Sequence, residues 1–149
     1  MIPKRYIPNS LSKKDKQQQM KMILKSRKLY KKGKYFTRKK VDYPHTTSKH
    51  IIRARKIYNI DTIRPSNELA LKTGCSVDAL QQIVKKGEGA YYSSGSRPNQ
   101  TPQSWGFARL ASSITAGKAS LVDYKILENG CDHKKPAYMM ASKFKNQIK

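Results

Sequence analysis

Acidic residues are scarce in this chain. Nine Asp and Glu stand against thirty-two Lys and Arg, a formal charge of +23 over 149 residues. A surplus of that size repels itself unless a polyanion or an acidic partner neutralises it, so the protein is not expected to act alone. Long apolar runs are missing as well. The N-terminus MIPKRYIPNSL has no apolar signal core, and no run approaches the roughly eighteen apolar residues of a membrane span, so neither export by that route nor a membrane span is expected.

Chemistry-bearing residues are equally thin. The two cysteines, Cys75 and Cys131, lack metal-ligand spacing and do not form a disulfide framework, so a reducing interior is the default expectation. His45 and His50 lie in a basic stretch and His133 near the C-terminus, which places no general base beside the serines of the middle segment. There are no paired carboxylates, no GxxxxGK[ST] phosphate loop and no dinucleotide-type glycine spacing. The expectation is a protein that is not an enzyme, with no cofactor and no metal.

The cations that are present are unevenly spread. Residues 1–58 hold nineteen Lys and Arg against Asp15 and Asp42, residues 59–131 hold eight against six acids, and residues 132–149 hold five against Asp132. A length of 149 residues allows one modest core. The pattern therefore predicts a basic N-terminal arm over 1–58 with one long and one short helix, a compact helical domain over 59–131 and a basic C-terminal tail over 132–149. Removal of residues 1–38 is expected to leave the rest folded.

Punctuation along the chain predicts helices near 12–32, 49–58, 67–73, 77–86, 102–116 and 119–129. Ser12, Ser48, Ser66, Ser76 and Thr101 have the form of N-caps, Pro102 sits at a first helical position, and Gly33, Gly74, Gly87, Gly117 and Gly130 read as stops. No stretch alternates in the manner of a strand, so the expected fold is all-α, a small helical domain of short helices with an extended basic N-terminal arm. The arm helix offers Met20, Ile23, Leu24 and Tyr30 as its apolar stripe. The expected core holds Leu69, Leu80, Ile83, Trp105, Leu110, Ile114, Val122 and Ile126.

The stretch GAYYSSGSRPNQTPQSWGFARL from Gly89 to Leu110 concentrates aromatics, prolines and a Ser/Gly/Arg run. Backbone N–H groups of such a run could cradle an anion with Arg97 as a fixed cation. More of its residues are explained structurally: Tyr91, Tyr92 and Trp105 bring apolar area with polar tips, Asn99 after the Ser94-containing run organises the entry to the next helix, and Arg97 and Arg109 tie the loop to carbonyls and to Asp123 or Glu128. The preceding ELALKTGCSVDALQQIVKKG has helix-turn-helix spacing, with Ala70 small and Gly74 at the turn. Its second helix would present Val77, Asp78, Gln81 and Gln82, and the acid speaks against a base-reading surface.

The run LALKTGCSVDALQQIVKKGEGAYYSSGSRPNQTPQSWGFARLASSITAGKASLVDYKILENGC, with its SSGSRPNQT and SWGFARLASSIT motifs, resembles a family of uncharacterised proteins of large double-stranded DNA viruses of algae and protists and of some large tailed phages. The preceding NSLSKKDKQQQMKMILKSRKLYKKGKYFTRKK is similar to the arm before this domain in that family, so the resemblance spans roughly residues 9–131. It implies a viral origin and a place in the virion, and it brings no catalytic residue with it.

Together these readings predict a viral structural protein, a minor capsid or virion-internal component, found in the virion and in host cytoplasm or nucleus during assembly. Its partners would be other capsid proteins and packaged double-stranded DNA. The contacts would come from Lys13, Lys14, Lys21, Lys25, Arg27, Lys28, Lys31, Lys32, Lys34, Arg38, Lys39, Lys40, Arg53, Arg55 and Lys56. The alternative is a free nucleic-acid-binding protein that uses the helix-turn-helix-like hairpin.

Overall fold

The structure, a computed structural model, describes residues 1–148. It is all-helical: a short 3-10 turn at Lys4–Tyr6 precedes α1 (Lys13–Lys31), α2 (Lys49–Tyr58), α3 (Asn67–Thr73), α4 (Val77–Ser93), α5 (Pro102–Ser113), α6 (Ala119–Val122), α7 (Tyr124–Gly130) and α8 (Pro136–Gln147). Among the described residues there is no strand, and no helix is long and apolar enough to cross a membrane.

The helix starts follow their caps. Ser12, Ser66 and Ser76 accept from the backbone N–H of Asp15, Leu69 and Ala79, each at 3.1 Å, and Ser48 accepts from His50 at 3.2 Å. At α5 the box is reciprocal: Thr101 Oγ1 accepts from the Ser104 N–H at 3.0 Å, and Ser104 Oγ accepts from the Thr101 N–H at 2.9 Å. Gly33 and Gly74 adopt the left-handed backbone their stop positions require.

Two expected boundaries fail for identifiable reasons. The helix α4 does not stop at Gly87 but runs seven residues past Lys86. Gly87 is instead a crossing point, where a Cβ would stand 2.6 Å from the Cα of Gly106. The span 119–129 is broken at Asp123, whose carboxylate is fully buried and gathers the donors described below. With that acid turned inward, Val122 faces solvent, 65% exposed, and Leu127 takes the core position.

The chain forms two compact units, Met1–Thr46 with Glu88–Trp105, and Thr47–Gly87 with Gly106–Lys149. This division replaces the expected order of arm, domain and tail. The first 46 residues fold against the Tyr/Ser/Gly/Arg stretch. The helix α2, assigned to the arm by charge, gives Ala54 and Tyr58 to the core of the second unit, and the expected tail gives Ala137 and Ala141 from α8. That core also holds Leu69, Leu80, Ile83, Leu110, Ile114 and Leu127, all fully buried. Tyr58 donates its hydroxyl to the Ile114 carbonyl, and burial pushes its phenol well above the ordinary tyrosine value. Ile126 is partly buried against this core.

Cys75 and Cys131 form a disulfide, contrary to the sequence expectation. They face each other across an isolated antiparallel bridge, with Ser76 N donating to Gly130 O and Asp132 N to Gly74 O, both at 2.8 Å. That is the non-hydrogen-bonded pair of an antiparallel ladder, where opposed side chains stand closest. Linear spacing carries no trace of it.

Candidate functional site

In the first unit, α1 turns Gln19, Met22, Ile23 and Ser26 inward, an i, i+3, i+4, i+7 set. Of the expected stripe only Ile23 is buried, while Met20 and Leu24 are 46% and 50% exposed. The reason is the nature of the opposing surface, which is largely polar loop backbone. Gln19 donates to the carbonyls of Tyr6 and Ser96 at 3.2 and 3.4 Å, and Ser26 Oγ donates to the carbonyl of Tyr92 at 3.0 Å.

Arg38 is the centre of this contact. Only 8% exposed, it donates from Nη1 to the Tyr91 carbonyl at 2.9 Å and to Ser26 Oγ at 3.2 Å, and from Nη2 to Ser96 Oγ at 2.8 Å. Its backbone N–H donates to the Tyr91 hydroxyl at 2.9 Å, and its guanidinium lies 3.8 Å from the centre of the Tyr91 ring. Burial lowers the guanidinium below its ordinary value. No carboxylate pairs with it among the described residues.

The other two arginines of this segment are also engaged. Arg27 Nε donates to the Ser94 carbonyl at 2.9 Å, and Arg5 lies over the Tyr6 ring at 4.9 Å. The planar guanidinium serves carbonyl forks and aromatic faces, which a lysine ammonium serves poorly. Asn99, in left-handed backbone at φ 63°, accepts from the Val41 N–H at 2.8 Å and donates to the carbonyls of Val41 and Tyr43. Trp105 is half-buried, edge-on to Tyr6 at 5.8 Å. Arg97 is exposed and its side chain makes no hydrogen bond among the described residues, so it does not tie the loop. Arg109 does tie α5, though within the second unit: it forms a bidentate pair with Asp123 at 3.0 and 2.7 Å, joined by Ser113 at 2.7 Å and Lys86 at 3.5 Å.

The lysines behave differently. Lys13, Lys14, Lys21, Lys25, Lys28, Lys31, Lys32, Lys34, Lys39 and Lys40 are all exposed. Among the described residues the ion pairs are the two on Asp123, so none of these ten has a carboxylate partner. Lys25 rests over the Phe36 ring at 4.5 Å. Arg53, Arg55 and Lys56 are exposed on α2 in the second unit. Of the fifteen expected binding cations, the structure removes Arg38 outright and engages Arg27 in the fold.

Beside these lysines lies a cluster that charge counting did not isolate. Tyr30 and Tyr92 are nearly parallel with centroids 6.0 Å apart, and Tyr35 touches both at 6.1 and 5.0 Å. Tyr35 is 71% exposed, and burial with nearby groups raises the Tyr92 phenol. The sequence signal was the KYF and AYY pairs, which no linear spacing joins. Among the described residues no group of three His, Cys, Asp or Glu stands where it would hold a metal.

The geometry defines a small helical protein with a lysine-studded face and a polar clasp between its N-terminal segment and a central loop. Residues 3–130 match the Family of unknown function (DUF5824), and the chain belongs to that family. Comparison with curated proteins and with solved structures found no match.

Proposed function

We propose that the protein is a non-enzymatic structural component that neutralises nucleic-acid phosphates through the lysine face of α1 and the turn after it. The resemblance of its SSGSRPNQT and SWGFARLASSIT segments to proteins of large DNA viruses and phages supports a place in a virus particle, beside other capsid proteins. The observation that carries the reading is the uncompensated lysine set: ten exposed ammonium groups on one folded unit, none paired with a carboxylate among the described residues. Exposed lysines in such number, none of them paired with a carboxylate, attract a polyanion and release its counterions.

The helix-turn-helix reading draws less support. The start of α4 presents Asp78, whose Oδ2 accepts from Gln82 at 2.7 Å, so one of the two amides suited to base edges is engaged by an acid. A role in neutralising charge also needs no base readout. The test is a Lys14→Gln/Lys21→Gln/Lys28→Gln/Lys32→Gln variant titrated with nucleic acid at several salt concentrations. Duplex binding should lose about 0.9 from the slope of log K against log salt for each contact removed, with the melting temperature unchanged. An unaltered slope and affinity would refute the assignment, and absence of the protein from purified particles would refute the virion placement.

A further inference from the structure

Resting on that reading, we infer that the lysine face is built for single strands, with Tyr35 and its neighbours Tyr30 and Tyr92 as a platform on which an unstacked base lies. The end of α1 leads to Tyr35 through Lys31, Lys32, Gly33 and Lys34, all exposed like Tyr35 itself, and Gly33 reverses the chain in left-handed backbone with nothing within 4 Å of where its Cβ would be. Three ammonium groups thus stand within four residues of an open phenol ring. One exposed tyrosine alone would need no explanation. Here the ring is held at a fixed tilt against two others while most of its own surface stays in water. Burial of apolar area contributes little for a ring so exposed, so the stability of the fold does not account for its placement.

Charge and ring together select the ligand. Duplex DNA satisfies the lysines but keeps its base faces inside the stack, whereas a single strand offers both phosphates and free π-faces. Glu88 lies close enough to Tyr92 to influence its phenol, and its carboxylate disfavours a phosphate brought beside it. Tyr91, the adjacent residue, is fully buried and packs edge-on against Tyr92, which steadies that ring.

The experiment uses the full chain and four probes: a fluorescein-labelled sixteen-nucleotide DNA strand, the RNA strand of the same sequence, the blunt DNA duplex, and inorganic polyphosphate, which has charge and no bases. Both strands should bind about tenfold or more tightly than the duplex, and either order between DNA and RNA supports the platform while naming its source. Tyr35→Ala should weaken strand binding about tenfold, in the range that loss of one base–aromatic stack produces, with polyphosphate binding and melting temperature unchanged. Tyr35→Phe, which keeps the ring, should bind as the parent does. Unchanged strand affinity in Tyr35→Ala, or an equal fall for polyphosphate, overturns the platform and leaves the charge reading intact. Failure of all four probes at low salt overturns both.

Discussion

Arg38 and Lys39 are neighbours of equal charge with opposite fates, one sealed among carbonyls and a tyrosine ring, the other in water. Arg38→Lys should cost about 2–3 kcal/mol, because one ammonium cannot serve the Tyr91 carbonyl, Ser26 and Ser96 together and buried acceptors are left bare. Lys39→Gln should stay within about 0.5 kcal/mol. Urea unfolding of the two variants checks this, and equal losses would contradict the clasp. The run TRKK gives a composition count no means to separate these residues, since charge is all it weighs. The chemical distinction was nevertheless present. Every arginine in the first 46 residues engages a carbonyl or an aromatic face, and the ten lysines of that segment assigned to binding remain exposed. Gln19 escaped notice for a similar reason: inside the QQQ run, only tertiary contact tells which amide is buried.

At the level of the helices, most starts were legible, as were the ends at Gly33 and Gly74, whereas the end of α4 was not. A cap is a local event, fixed by one side chain and an N–H two or three residues away, so Ser12, Ser48, Ser66, Ser76 and Thr101 mark real starts. A glycine can end a helix or let another backbone approach, and that choice depends on residues far along the chain. Gly87 is of the second kind, facing Gly106, whereas Gly89 has only the Tyr30 hydroxyl, 3.4 Å from where its Cβ would be. Gly87→Ala should therefore destabilise by about 1–3 kcal/mol through overpacking. Gly89→Ala should be neutral or gain up to about 1 kcal/mol of helix propensity. Thermal melts of the pair decide it, and a stabilised Gly87→Ala would remove the crossing from consideration. The candidate site shows the same limit. Its lysines were readable from composition, but Tyr30, Tyr35 and Tyr92 meet only because two segments more than fifty residues apart share one unit.

For the whole molecule, the two-unit division alters how function must be dissected. Removing residues 1–38 would take Gln19, Ile23, Ser26 and Arg38 from the first unit and leave Glu88–Trp105 without the groups that hold it, so the expectation of an undisturbed remainder gives way. Lysine-to-glutamine changes preserve the clasp and isolate the charge. The disulfide acts on the same scale, since it joins positions 56 residues apart. A Cys75→Ser/Cys131→Ser variant should lose about 4 kcal/mol by the loop-closure account. The unfolded, unreduced parent should show no free thiol with a thiol reagent, and two such thiols would refute the bridge. The bond also changes what a cut means. With Cys75 and Cys131 joined, residues 75–131 become a covalent ring from which the two ends of the chain extend, and a single break inside a ring opens it without dividing the molecule. A specific protease site placed beside the exposed Lys118, between α5 and α6, would yield a nicked protein that still migrates as one species until a reductant separates it into two.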